Sequence, residues 1–340
     1  MKKGLLYLIL VAFICGLANL TYTSTGLYDE DIKKCDAHLM FALDSSITLN
    51  TTLYFGESSN FTSSEKDIDK RYISQMLAAH DNNENITPIS KGAIHAGTYH
   101  ALVKRISDNN HIKTIIISLN LRSFGINWIE SYLETNLSRA NVLYSNYPPI
   151  IKKFMLGFKA YDNKDNFKRN EIVRHHYKYD KFKLKTKNFE CVRDWDAVVY
   201  DKGVLDENGV KDKDKTEVAC HFIKNYAFVL SDNNPRVKDL DEIVNYCKEK
   251  KIKLLFHLLP ENIEKAQVLC GEDLNLLIDQ NAEFLQKRYS AQTSFVNNYN
   301  ILPDSCFIDK QWPTEHYNEY GRRLVANKIY SQLKLLKNAN

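Results

Sequence analysis

The sequence predicts an α/β protein, doubly wound in three α/β/α layers around a central parallel sheet. Three observations carry that expectation. Two β-prone runs, Thr114–Leu119 and Lys253–Leu259, are apolar almost continuously rather than alternately, as strands covered on both faces are. Segments with helical apolar spacing lie between the strand candidates, so strand and helix alternate along the chain. The strand candidates end in glycine, asparagine or proline, which suits the turns where such sheets bind ligands.

In chain order, Met1-Lys2-Lys3 precedes an apolar run that reaches Leu20, the pattern of an export signal. Gly16-Leu17-Ala18 offers small residues for cleavage, while the run is close to the ~17 residues a membrane span needs. Residues 1–20 are therefore read as a signal peptide or an N-terminal membrane anchor. Ile14 before Cys15 speaks against a lipid-modified cysteine. Residues 21–340 are read as one domain. It opens with a short helix around Asp31–Leu43 and a strand Thr52–Phe55 that stops at Gly56. A helix is expected over Asp67–Ala79, with Ile68, Tyr72, Ile73, Met76 and Leu77 on one side, then a strand Ile86–Ile89 and a helix Ala96–Ser107. Between about 150 and 216, charge is dense and apolar periodicity poor, as in Lys164–Arg169 and Lys178–Lys187. This stretch is expected to be an insertion carrying loops or a cap over the sheet edge, and its recurring Tyr, Phe and Trp argue for packing. A helix Arg236–Lys250 leads into the strand Lys253–Leu259. A further helix covers Glu261–Tyr289, with a break at Gly271. The last helix, Asn318–Lys337, places Leu324, Val325, Ile329 and Leu333 on one stripe.

Composition narrows the function. With 46 basic and 42 acidic residues over 340, the chain has no concentrated basic footprint, and nucleic acid is not expected as a partner. No Gly-x-Gly-x-x-Gly follows the first strand, which excludes a dinucleotide-binding reading. The seven cysteines contain no Cys-x-x-Cys. Six remain after the leader; they are compatible with disulfides, but their wide spacing favours buried free thiols. His95 and His100 lie five apart, off the spacing that aligns two ligands on a helix, and with His175 and His176 they make no coherent metal site. Neither a metal nor a cofactor is implied.

The chemistry gathers at the strand ends. The first strand runs into Gly56-Glu57-Ser58, the second stops near Gly92, and the third ends in Ser118-Leu119-Asn120. His316 stands just ahead of the last helix, in His316-Tyr317-Asn318-Glu319-Tyr320-Gly321. In this order the four segments resemble the sequence blocks of the SGNH/GDSL hydrolase superfamily, and the residues around Gly92 and Asn120 look like an exported bacterial subgroup. The resemblance implies Ser58 as nucleophile, His316 as its base, and Gly92 and Asn120, with the Ser58 amide, as oxyanion donors. It covers Leu53 to Leu333 apart from the insertion.

Two departures stand out. Pro313 occupies the position of the family's aspartate, three residues before the histidine. Asp309, seven before His316, and Glu315, adjacent to it, are the candidate acids, with Asp309 favoured because an adjacent side chain points elsewhere. The third-block glycine is replaced by Ser118. Arg122, just past the third strand, is a candidate clamp for an anionic substrate group or else half of a structural ion pair. The expectation is an exported serine esterase acting on a small-molecule or glycan acyl ester, touching the membrane only through its N-terminal segment. An O-acyltransferase on the same residues and a non-catalytic glycan-binding or assembly protein are the alternatives.

Overall fold

The computed structural model describes residues 2–35, 37–47, 52–80, 85–107, 111–162 and 164–338. Its sheet has five parallel strands: β1 (Thr52–Gly56), β2 (Ile86–Ser90), β3 (Thr114–Leu119), β4 (Lys253–Leu258) and β5 (Ser294–Asn297). They lie in the order β2-β1-β3-β4-β5. Chain order reverses between β1 and β3, and the crevice at such a switch point is where doubly wound sheets place their ligands. Among the helices are α1 (Lys2–Ser24), α2 (His38–Ile47), α3 (Ile73–Ala78), α4 (Ala96–Val103), α5 (Pro149–Gly157), α6 (Asn166–Tyr179), α7 (Lys213–Tyr226), α8 (Pro235–Glu249), α9 (Glu272–Tyr289) and α10 (Glu319–Asn338).

Successive strand residues feed two cores. Leu53, Phe55, Ile115, Ile117, Leu254 and Phe256 enter one layer, where α2, α4, α8 and α9 pack. Tyr54, Ile116 and Leu255 enter the other, against Ile73, Met76 and Leu77 of α3 and Val325, Ile329 and Leu333 of α10. Each face is buried, so each run reads apolar without alternation. β5, which the sequence does not reveal, is a short edge strand; Ser294 and Asn297 hide its period.

Several segments differ from expectation for identifiable reasons. The helix expected over Asp31–Leu43 is two, Leu27–Lys34 and His38–Ile47, with the amide of Cys35 closing the first on Asp31 and Ile32. Only Ile73–Ala78 of the expected Asp67–Ala79 is helical. Asp67 instead accepts the Ser64 amide at 2.8 Å and the Arg322 guanidinium at 2.7 Å. Arg322 is wholly buried and also donates to the carbonyls of Asp69 (2.5 Å), Arg71 (3.1 Å) and Tyr317 (2.9 Å). Short polar side chains that bond locally compete with helix, and here the loop wraps around a guanidinium from the far end of the chain. The helix from Ala96 stops at Val103 rather than at Ser107. The break expected at Gly271 is present, with φ +86 between Ile263–Cys270 and α9.

The stretch 150–216 is mostly helical: α5, α6, Val192–Lys202, a two-stranded antiparallel pair (Val204–Leu205 with Lys211–Asp212), and the start of α7. Its aromatic residues pack, with Trp195 fully buried and stacked on Phe189. All seven cysteines are free thiols.

Replacing Arg322 by Met leaves the part-buried Asp67 carboxylate and the carbonyls of Asp69, Arg71 and Tyr317 without their donor, a loss expected to cost about 3–5 kcal/mol. The same change at its exposed neighbour Arg323 is expected to cost at most about 1 kcal/mol. Urea midpoints of the two variants check the contrast.

Candidate active site

Ser58 is positioned by a turn that needs glycine. A Cβ at Gly56 would lie 2.7 Å from Tyr54 Cε1 and 3.1 Å from Asn60 Cβ, so β1 can only turn this tightly without one. The chain passes directly into a short helix, Ser58–Phe61, whose first residue is the serine. Asn60, fully buried, fastens that helix: its amide nitrogen donates to Ser90 Oγ at 3.0 Å and its oxygen accepts the Ser74 amide at 2.9 Å. Ser58 Oγ stands 2.9 Å from His316 Nε2, and His316 Nδ1 stands 2.7 Å from Asp309 Oδ2. With Nδ1 protonated, the imidazole donates to Asp309 and accepts from the serine. Thr314 Oγ1 donates to the same aspartate oxygen at 2.6 Å and fixes its orientation.

Backbone pairing brings Asp309 opposite the histidine. Phe307 and Tyr317 form an antiparallel bridge, and the Ile308 amide donates to the His316 carbonyl at 2.9 Å. The segment between is pinched into a loop with Asp309 and His316 at its neck, and Pro313 buried within it. Seven residues of sequence separation thus become direct contact. Of the two acids left open by the sequence, Asp309 reaches the imidazole. Glu315 is corrected: its carboxylate is buried and bound to Arg122, with Nε–Oε1 at 2.6 Å and Nη2–Oε2 at 2.5 Å. Arg122 is accordingly half of an ion pair, not a free clamp.

Asn120 also differs from its expected part. Its amide hydrogens are both taken, by Glu57 Oε1 at 2.8 Å and Glu315 Oε2 at 2.7 Å, and its oxygen caps the turn through the Arg122 amide. Gly92 lies exposed in the turn after β2, beside Ala93, whose φ is +60. Among the described residues, neither the Gly92 nor the Ser58 amide donates to a protein acceptor.

Beneath the serine and histidine lies a cluster that the sequence analysis missed. Glu57, Glu261 and Glu315 are each nearly inaccessible, and Tyr226 donates its hydroxyl to both Glu261 and Glu315. Burial, and then the charge of Glu315, push the Glu57 carboxyl up to about 8 and the Glu261 carboxyl well above its usual range. Glu315 is the carboxylate that Arg122 clasps. One signal was present: Glu57 stands where the family has aspartate, one methylene longer. Nothing local pointed to Glu261 or Tyr226.

A cavity of about 700 Å³ is lined on one side by Arg122 and Trp312, while Ser58 and His316 lie outside its lining. Arg122, Trp128, Tyr132, Asn170, His221 and Trp312 are among its lining residues. Trp312 comes from the Asp309–His316 loop and packs on His221 with ring centres 3.9 Å apart. The Arg122 guanidinium lies 5.2 Å over the Trp128 ring. Asn166 and Asn170 bring the insertion helix α6 into the wall.

The 2-1-3-4-5 strand order, with the four segments at the ends of β1, β2 and β3 and ahead of α10, is that of a doubly wound, flavodoxin-like α/β fold. No family model and no curated protein matches the chain. A solved structure described as an acylhydrolase from Bacteroides fragilis has a TM-score of 0.35 at 9% identity, covering 84% of this chain and 88% of that one. One described as a GDSL-like lipase from Bacteroides thetaiotaomicron has a TM-score of 0.34 at 7% identity, covering 86% and 89%. A third, described as a platelet activating factor from Streptococcus pneumonia, has a TM-score of 0.39 at 10% identity, covering 93% and 99%. Scores this low carry no argument about activity.

The buried carboxyl gives a measurable pH dependence. In the unfolded chain Glu57 ionises in the usual carboxylate range, whereas in the folded protein it holds its proton up to about pH 8. Its ionisation therefore weakens the fold as pH rises between those limits and adds nothing further above them. Glu57→Gln keeps an acceptor for Asn120 without a titrating group. Its melting temperature is expected to gain on the parent's between pH 5 and pH 8 and then run parallel, as calorimetry would show.

Proposed function

We propose that this protein is an exported serine hydrolase that cleaves acyl esters through Ser58, His316 and Asp309. The observation that carries this reading is the unbroken hydrogen-bonded line from Ser58 Oγ through the imidazole to Asp309. In the reaction, Ser58 Oγ attacks the ester carbonyl and its proton passes to His316 Nε2. The leaving alkoxide takes that proton, and water then attacks the acyl-serine by the same route in reverse. Asp309 holds the imidazole ring and stabilises its cationic form. The amides of Ser58 and Gly92 face the oxyanion. The Asn120 amide is engaged elsewhere, and one donor fewer corresponds to roughly 10²–10³ in kcat, so slow turnover of simple esters is expected. The apolar α1, long enough to cross a membrane, supports export.

Labelling by a fluorophosphonate probe tests the reading. Ser58 in the folded protein is expected to label and Ser58→Ala not to. Asp309→Asn is expected to lower kcat for p-nitrophenyl acetate by about 10⁴-fold at unchanged fold. An unlabelled Ser58 would return the chain to a binding or assembly role. Acyl transfer to an added sugar faster than to water would make it a transferase.

The lining of the cavity favours a carbohydrate as the alcohol half of the ester. Indole faces and side-chain amides recognise sugar rings and hydroxyls, and Trp312 is half-exposed. Trp312→Ala is expected to raise KM for acetylated xylo-oligosaccharides about tenfold, equivalent to about 1.4 kcal/mol, and to leave kcat/KM for p-nitrophenyl acetate unchanged.

A further inference from the structure

We propose that α1 is a retained anchor and that α5 lies beside it in the headgroup layer of a bilayer, as a second membrane contact. This does not depend on the chemistry at Ser58. The helix runs unbroken to Ser24, and the most apolar part of Lys3–Ser24 is left wholly unburied by the rest of the protein. At 1.5 Å per residue the 17-residue apolar run at 4–20 extends about 25 Å, at the ~17-residue lower end of what a membrane span needs.

Past Ala18, where a leader would be cut, the same helix enters the folded body. Asn19 Oδ1 accepts the Ile150 amide at 3.0 Å. Tyr22 is buried and donates its hydroxyl to Asp31 at 2.6 Å. Lys153 reaches that carboxylate at 2.5 Å and lies 5.3 Å over the Tyr22 ring. The first turn of α5 is thereby fixed to the last turns of α1, at the level where the apolar run ends.

The outer face of α5 matches that position. Tyr147, Ile151, Phe154 and Phe158 recur at spacings of four, three and four, the period of one helix face, starting just ahead of the helix and ending just past it. They are between 36% and 82% exposed, with Phe158 the most. On the inner side, Lys152 is buried and donates to the Leu143 carbonyl at 2.9 Å and the Tyr28 hydroxyl at 3.1 Å. A stripe of large aromatics bonded to the end of an apolar span is suited to the water–lipid boundary, where such side chains concentrate. A bilayer around α1 is the surface this stripe meets; a second copy of the chain would need another surface to cover it.

The test uses the full chain in bilayers of phosphatidylcholine with and without brominated acyl chains, which quench tryptophan emission on contact. Phe154→Trp and Phe158→Trp each add one reporter, so the test survives misfolding of either. Tyr200→Trp, on the exposed insertion helix, is the control. The emission added at 154 and 158 is expected to be lost in the brominated bilayer, and that added at 200 to be kept. The membrane-extracted chain is expected to have the intact mass of α1. Equal emission in both bilayers at 154 and 158, whether or not the chain dimerises, overturns the proposal, as does a chain beginning near Asn19.

Discussion

The site is organised around one buried ion pair, Arg122 with Glu315. Arg122 follows the end of β3, and Glu315 precedes His316, so the pair ties the sheet to the loop that holds the histidine. Three carboxyl groups share this space with one guanidinium, and burial pushes two of them, Glu57 and Glu261, above the usual carboxylate range. Buried pairs of this kind contribute little net stability, because desolvation offsets attraction, but they discriminate sharply between one arrangement and another. Glu57 is next to Ser58 and Glu315 next to His316, and the amide of Asn120 bridges the two carboxyls. The neighbours of Ser58 and His316 are therefore held by one polar knot, while the serine and imidazole are themselves only half-buried.

That knot also marks the limit of sequence reading. β1, β3 and β4 were legible because burial on both faces leaves a continuous apolar run. The serine, glycine and histidine blocks were legible because each sits at a strand end or before a helix. Choosing between Asp309 and Glu315 was harder, since the decision lies in the pairing of Phe307 with Tyr317, which no local pattern announces. Asn120 was read as an oxyanion donor because the carboxyls that claim its hydrogens arrive from other parts of the chain. The same holds for the lost half of the Asp67–Ala79 helix, undone by an arginine 255 residues away. Local propensity decides where long-range polar partners are absent, and here they were present.

The insertion shows the opposite case. Its sequence is densely charged, yet Lys164 and Arg169 both pair with Glu130, and Arg169 also binds Asp162. Charge density that reads as solvated surface in one dimension is the internal wiring of a wall in three. α6 and α7 both contribute residues to the wall of the cavity.

Arg322 sets an order on the making of the site. It lies in the last helix, and it holds both the 62–71 loop and the carbonyl of Tyr317, next to the histidine. Ser58 and the imidazole of His316 are 258 residues apart in the chain. In a chain emerging N-terminus first, Ser58 is therefore made long before the histidine it pairs with. On the proposed chemistry, Ser58 is activated only once the C-terminal helix has docked.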